Sequence, residues 1–107
     1  MSILEKIIKF KRNELRHQRS IKSYGDLEKL ENFNRKTNSL KNNLIKSSFG
    51  IITEFKRKSP SKPKINLEAK VNRIVKDYDE GGANALSILT DQKFFGGNIN
   101  DIIESRK

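Results

Sequence analysis

The chain has 107 residues, a net charge of +10 and 34% hydrophobic residues, with no cysteine and one histidine. A disulfide scaffold, a thiolate or histidine metal site, cysteine catalysis and a Ser-His-Asp triad are therefore excluded or implausible. The length suits one small domain or part of a larger one, and so polar a chain buries only a modest core, which points to an incomplete unit or one that needs a partner.

The positive charge has two readings: a nucleic acid or anionic ligand, or a lysine-rich surface. The lysines are spread along the whole chain rather than gathered in one block, which favours the surface. A basic nucleic-acid-binding module is kept as the alternative from another functional class, and it requires steeply salt-dependent affinity. The start, MSILEKIIKF, interrupts its apolar residues with Lys and Glu, unlike a signal peptide. No run approaches the ~20 apolar residues of a membrane span. The expectation is a cytoplasmic protein with neither a nucleic-acid nor a membrane partner.

Residues 2–20 read as an amphipathic helix. Leu4, Ile8, Lys11 and Leu15 share a face, and Ser2 with Glu5 forms a capping-box pattern. Residues 20–25 read as a turn. A second helical segment is expected over residues 26–33, with Asp26 as its N-cap. Residues 34–48 read as a polar connector with a helical turn or two. Residues 49–56 then read as a strand that leads into charge, and Pro60 is expected to close it.

After a loop carrying Ser59, Pro60, Ser61 and Pro63, Asn66 is expected to cap a helix with Leu67, Val71, Ile74, Val75 and Tyr78 on one stripe. Gly81 and Gly82 stop it. Residues 84–90, NALSILT, read as a second strand, apolar on nearly every position, which argues for a parallel sheet covered by helices. Residues 91–97 read as a loop, and Asn98 as the cap of a last helix. Strand, helix, strand, helix in this order means a parallel α/β arrangement with a right-handed crossover.

The polar residues gather after the first strand (Glu54, Lys56, Arg57, Ser59, Ser61) and after the second (Thr90, Asp91, Lys93). Both places are carboxyl ends of parallel strands, where α/β folds bind ligands. Glu54 and Lys56 lie two apart, on one face and roughly 6.5–7 Å from each other. That separation suits two groups addressing one anionic molecule, with the lysine as positive charge and the glutamate as acid, base or support. A structural ion pair accounts for it equally well. Ser59 and Ser61 either bind an anion or form an ordinary Ser-Pro turn. Of Phe94 and Phe95, one is expected to pack on the following helix; Phe95 is assigned to the ligand side.

IITEFKRKSPS followed by GGANALSILTDQKFFGGNINDI resembles the indole-3-glycerol phosphate synthase family over residues 49–106. The resemblance implies a (β/α)8 TIM barrel. It is represented by an N-terminal helical extension (1–48) and the first two βα units (49–107). It implies a carboxy-lyase of tryptophan biosynthesis whose small phosphorylated substrate is 1-(2-carboxyphenylamino)-1-deoxyribulose 5-phosphate. That substrate closes to indole-3-glycerol phosphate with loss of CO2 and water, with no metal or organic cofactor.

The family motif makes Glu54 and Lys56 catalytic, Ser59 a contact to the substrate carboxylate, and Phe95 a wall of the anthranilate pocket. Thr53, Lys62 and Asn98 depart from the commonest family residues. A barrel of this type needs ~250 residues. The family's third-strand lysine and its later carboxylate, asparagine and phosphate loops fall outside this chain, so these residues alone are expected to be inactive. The remaining expectations are a monomer or a fusion to a neighbouring pathway enzyme. Another phosphate-binding barrel enzyme is the rival within the same fold.

Overall fold

The computed structural model describes residues 1–107. Its elements are α1 (Ile3–Ile21), α2 (Tyr24–Glu28), α3 (Leu40–Lys46), β1 (Ile52–Phe55), α4 (Val71–Glu80), β2 (Ala85–Ile88), α5 (Gln92–Phe95) and α6 (Ile99–Ser105). They fall into two compact units, Met1–Asn38 and Ser39–Lys107.

The first unit is helical and built from local signals. The Ser2 hydroxyl accepts the Glu5 N–H, and the Glu5 carboxylate accepts the Ser2 N–H, so the capping box starts α1. A second capping box starts α2, and here the expectation fails by three residues. The cap is Ser23, and Asp26 is its reciprocal partner inside the helix. Ser-x-x-Asp satisfies two end N–H groups at once, whereas Asp26 as the cap would leave Ser23 unused. The helix is also short. It ends at Glu28, and turns closed by bonds such as Phe33 N–H to Leu30 O follow it. No residue of α1 is buried, and Leu4, Ile8 and Leu15 on its apolar stripe are exposed.

The second unit is a two-stranded parallel sheet with helices on one face. The register pairs Ile52 with Ala85, Thr53 with Leu86, Glu54 with Ser87, and Phe55 with Ile88. Both strands are shorter than expected. β1 ends at Phe55, well before Pro60, because the Arg57 carbonyl turns away to accept the N–H groups of Ile65 and Asn66.

That turn also delays the next helix. Asn66 is not its cap. The Asn66 carbonyl accepts the Ala69 N–H, the Ala69 carbonyl is taken by the Arg57 side chain, and α4 begins at Val71 without a side-chain cap. Leu67 is thereby left outside the helix and exposed, while Val71 is buried and Ile74, Val75 and Tyr78 are half-buried. α4 packs on α6 and β1. β2 is half-buried throughout.

Phe55 and Val71 are the buried apolar residues, and Asp101 is buried with them. α5 occupies part of the segment expected as a loop. Asp91 caps it, and Gly96 ends it with φ 67°, a left-handed conformation open to glycine at little cost. Asn98 caps α6 as expected, with Asp101 completing a capping box. At the other end of the sheet, the Asn84 side chain donates to Asn43 and Ser47 and accepts the Ile51 N–H, which fastens α3 to the start of both strands.

Candidate active site

Strand alternation sorts the residues at the end of β1. Phe55 and Arg57 go to one face, and Glu54 and Lys56 to the other. The first face is the one covered by α4 and α6: the ring of Phe55 is buried, and the Arg57 guanidinium lies 4.9 Å from its centroid. Glu54 and Lys56 therefore stand on the face without helices, at the carboxyl end of the sheet.

There the two side chains meet. Lys56 Nζ donates to Glu54 Oε1 at 2.7 Å. The backbone spacing did not prevent this contact, because the four-carbon lysine stem folds back over the intervening residue. Ser87, paired with Glu54 in the parallel register, donates its hydroxyl to Glu54 Oε2 at 3.2 Å. Both carboxylate oxygens are thus occupied. The lysine bond, and secondarily the serine bond, hold the Glu54 carboxyl below its ordinary value, so it is ionised at neutral pH.

Side-chain exposures of 34% for Lys56 and 44% for Glu54 leave the pair open to solvent. Pairs of this kind contribute about 0–1 kcal/mol.

Ser59 lies in a tight turn. Its N–H donates to the Lys62 carbonyl, its hydroxyl accepts the Lys62 N–H at 3.1 Å, and its Oγ is 3.1 Å from Ser61 Oγ. It shares no hydrogen bond with the Glu54–Lys56 pair. Phe95 ends α5 and is half-buried. Phe94 has the Lys93 ammonium 5.7 Å over its ring.

The departures from common family residues are accommodated. Thr53 donates to the Ala85 carbonyl at 3.3 Å, and Asn98 makes a complete capping box.

A family model described as indole-3-glycerol phosphate synthase matches residues 4–107. The chain belongs to the indole-3-glycerol phosphate synthase family. The indole-3-glycerol phosphate synthase of Bacteroides thetaiotaomicron is 47% identical over 104 residues, covering 97% of this chain and 40% of that protein. That of Bacillus cereus is 40% identical over 106 residues, with 99% and 39% covered. That of Caldanaerobacter subterraneus is 37% identical over 105 residues, with 98% and 40% covered. The chain thus spans about two fifths of the length of the relatives it matches. The match reaches far beyond residues 49–106, so the N-terminal helices, which carried no diagnostic motif, belong to the family as well. No helix of the chain is long and apolar enough to cross a membrane.

Two residues that the sequence reading does not single out make contacts here: Ser87 at the Glu54–Lys56 pair, and Asp101 with Arg57 on the opposite face of the sheet. Ser87 is the hydroxyl inside the apolar run NALSILT, and a polar residue at that position was a visible signal. Asp101 lies in the first turn of α6. Its pairing with Arg57, 44 positions away, left no mark in the local pattern.

Proposed function

We propose that this chain supplies an N-terminal helical extension (1–48) and the first two βα units (49–107) of a (β/α)8 barrel. The barrel closes 1-(2-carboxyphenylamino)-1-deoxyribulose 5-phosphate to indole-3-glycerol phosphate with loss of CO2 and water. The observation that carries this reading is the Glu54–Lys56–Ser87 cluster. It stands on the helix-free face of a parallel sheet, at the carboxyl ends of its strands, which is the face that becomes the inside of a barrel.

The chemistry follows from the charges. Lys56 is an ammonium suited to the substrate carboxylate or to negative charge that develops as the ring closes. Glu54 waits as a carboxylate, and the hydrogen bond from Lys56 lowers its pKa further. When a substrate anion takes Lys56, the main cause of the lowered pKa goes with it. The carboxyl then binds a proton more readily, which suits proton transfer at the reacting carbon chain. Ser59 binds the carboxylate end and Phe95 lines the anthranilate ring. Holding the aromatic end of a flexible substrate limits the conformations from which the ring must close. No metal or organic cofactor takes part, and the partner is a small phosphorylated molecule, with neither nucleic acid nor membrane involved.

The test is indole fluorescence on adding this substrate to the full-length protein that carries these residues. Product is expected, and Lys56→Ala and Glu54→Gln should each lower kcat/KM by about 100-fold or more. Unchanged turnover in both variants would remove the pair from the chemistry. The 107-residue chain alone is expected to form no product.

A further inference from the structure

Arg57 follows Lys56 in the chain but points to the opposite face of the sheet, where one guanidinium reaches three separate segments. Nη1 donates to Asp101 Oδ2 at 2.6 Å and to the Gly96 carbonyl at 3.1 Å. Nη2 donates to Asp101 Oδ1 at 2.8 Å, and Nε to the Ala69 carbonyl at 3.2 Å. The side chains of Arg57 and Asp101 are 16% and 6% exposed. Asp101 also accepts the Asn98 N–H, so the first turn of α6 is tied to the same point.

We propose that Arg57, clamped by Asp101, is a positioning residue that holds the loop after β1, with Lys56 and Ser59, in fixed register with the loop after β2, with Phe95. The identity of the positioned groups rests on the functional reading above; the clamp itself does not.

The geometry separates this pair from the exposed Glu54–Lys56 pair. A bidentate guanidinium–carboxylate fork fixes direction as well as distance, and a lysine offers a point charge without the fork. Lys56 and Ser59 lie one and two residues to either side of Arg57, so its orientation is passed to them through a few backbone bonds. Gly96 directly follows Phe95, so the bond to its carbonyl fixes the end of the aromatic segment. The far side of that segment is seated by Gly97, whose close approach leaves no room for a Cβ against the Leu89 carbonyl. Lys56, Ser59 and Phe95 are thus related through Arg57.

Amide hydrogen exchange of the full-length protein with Arg57→Lys and with Asp101→Asn tests this. Both variants keep a polar group at each position. The N–H groups of Ser59, Lys62, Gly96 and Gly97 are each bonded within their own loops, and their exchange should accelerate together by about tenfold. The strand amides Asn84 and Leu89, bonded to the Ile51 and Phe55 carbonyls, should keep their rates. Unchanged loop rates, or loop and strand rates rising in proportion, would overturn the proposal and leave a merely stabilising pair.

In the full-length enzyme the same variants should raise KM and lower kcat/KM by about 10- to 100-fold, with the pH profile of kcat unmoved. Turnover that stays at the unsubstituted level overturns the positioning role. If the unsubstituted enzyme has no turnover, the functional reading fails, and the exchange experiment alone decides on the clamp.

Discussion

Met1–Asn38 and Ser39–Lys107 are held in different ways. In the first unit almost every defining bond joins residues three to five apart: Ser2 with Glu5, Ser23 with Asp26, Lys11 with Glu14, Arg19 with Tyr24. Nothing in its helices is buried. In the second unit the defining bonds join Arg57 to Asp101, Asn84 to Asn43, and β1 to β2. They surround the buried Phe55 and Val71. Local bonds specify elements, and long-range bonds specify a site. Every candidate site residue lies in the second unit.

The largest expected effect comes from breaking its clamp. Asp101→Ala leaves the Arg57 guanidinium without its counter-ion, and removing one partner of a buried pair costs about 3–5 kcal/mol. Urea unfolding followed by circular dichroism should show a lost cooperative transition while the helical signal of α1 persists.

pH provides a second readout of the same pair. The hydrogen bonds from Arg57 lower the Asp101 carboxyl below its ordinary value of 3.8. A depressed carboxyl contributes stability that is fully present above that value and is lost as pH falls through the folded one. Acid unfolding of the unsubstituted chain should therefore include a component below pH 3.8 that Asp101→Ala lacks.

A smaller effect is expected at Gly97. A Cβ there would stand 1.8 Å from the Leu89 carbonyl oxygen. Gly97→Ala must displace the segment after Phe95, with a loss of about 1–3 kcal/mol. Changes in amide shifts should concentrate at residues 89–97.

The smallest effect belongs to the first unit. Ser2→Ala removes one cap, worth about 1 kcal/mol of helix stability. It should reduce the helical signal gradually and leave the unfolding of Ser39–Lys107 unmoved. A cooperative effect on both units would contradict the contrast drawn between them.

The sequence was most readable where a short pattern closes on itself. Ser2-x-x-Glu5, and Asn98 as a cap, both marked real helix starts. Alternation placed Glu54 and Lys56 on a common face, and the apolar NALSILT run pointed to a parallel partner. The reading went astray where a distant group competed for the backbone. Asn66 had the residue type of a cap, but Arg57 draws the Ala69 carbonyl away, and the helix waits until Val71. Ser23 displaced Asp26 as cap because the Ser-x-x-Asp pair satisfies more end groups than Asp26 alone.

By itself the sequence determined the α/β order, the parallel pairing implied by two apolar runs with a helix between them, the family and the candidate residues. These depend on residue type and spacing, and spacing along a regular element sets which face a side chain takes. Only the tertiary structure decided that Glu54 and Lys56 pair with each other while Ser87 bonds Glu54, and that Arg57 turns away from them to Asp101. The serine and arginine contacts join positions 33 and 44 residues apart, and no local periodicity encodes which distant partner a side chain meets when the strands and helices pack.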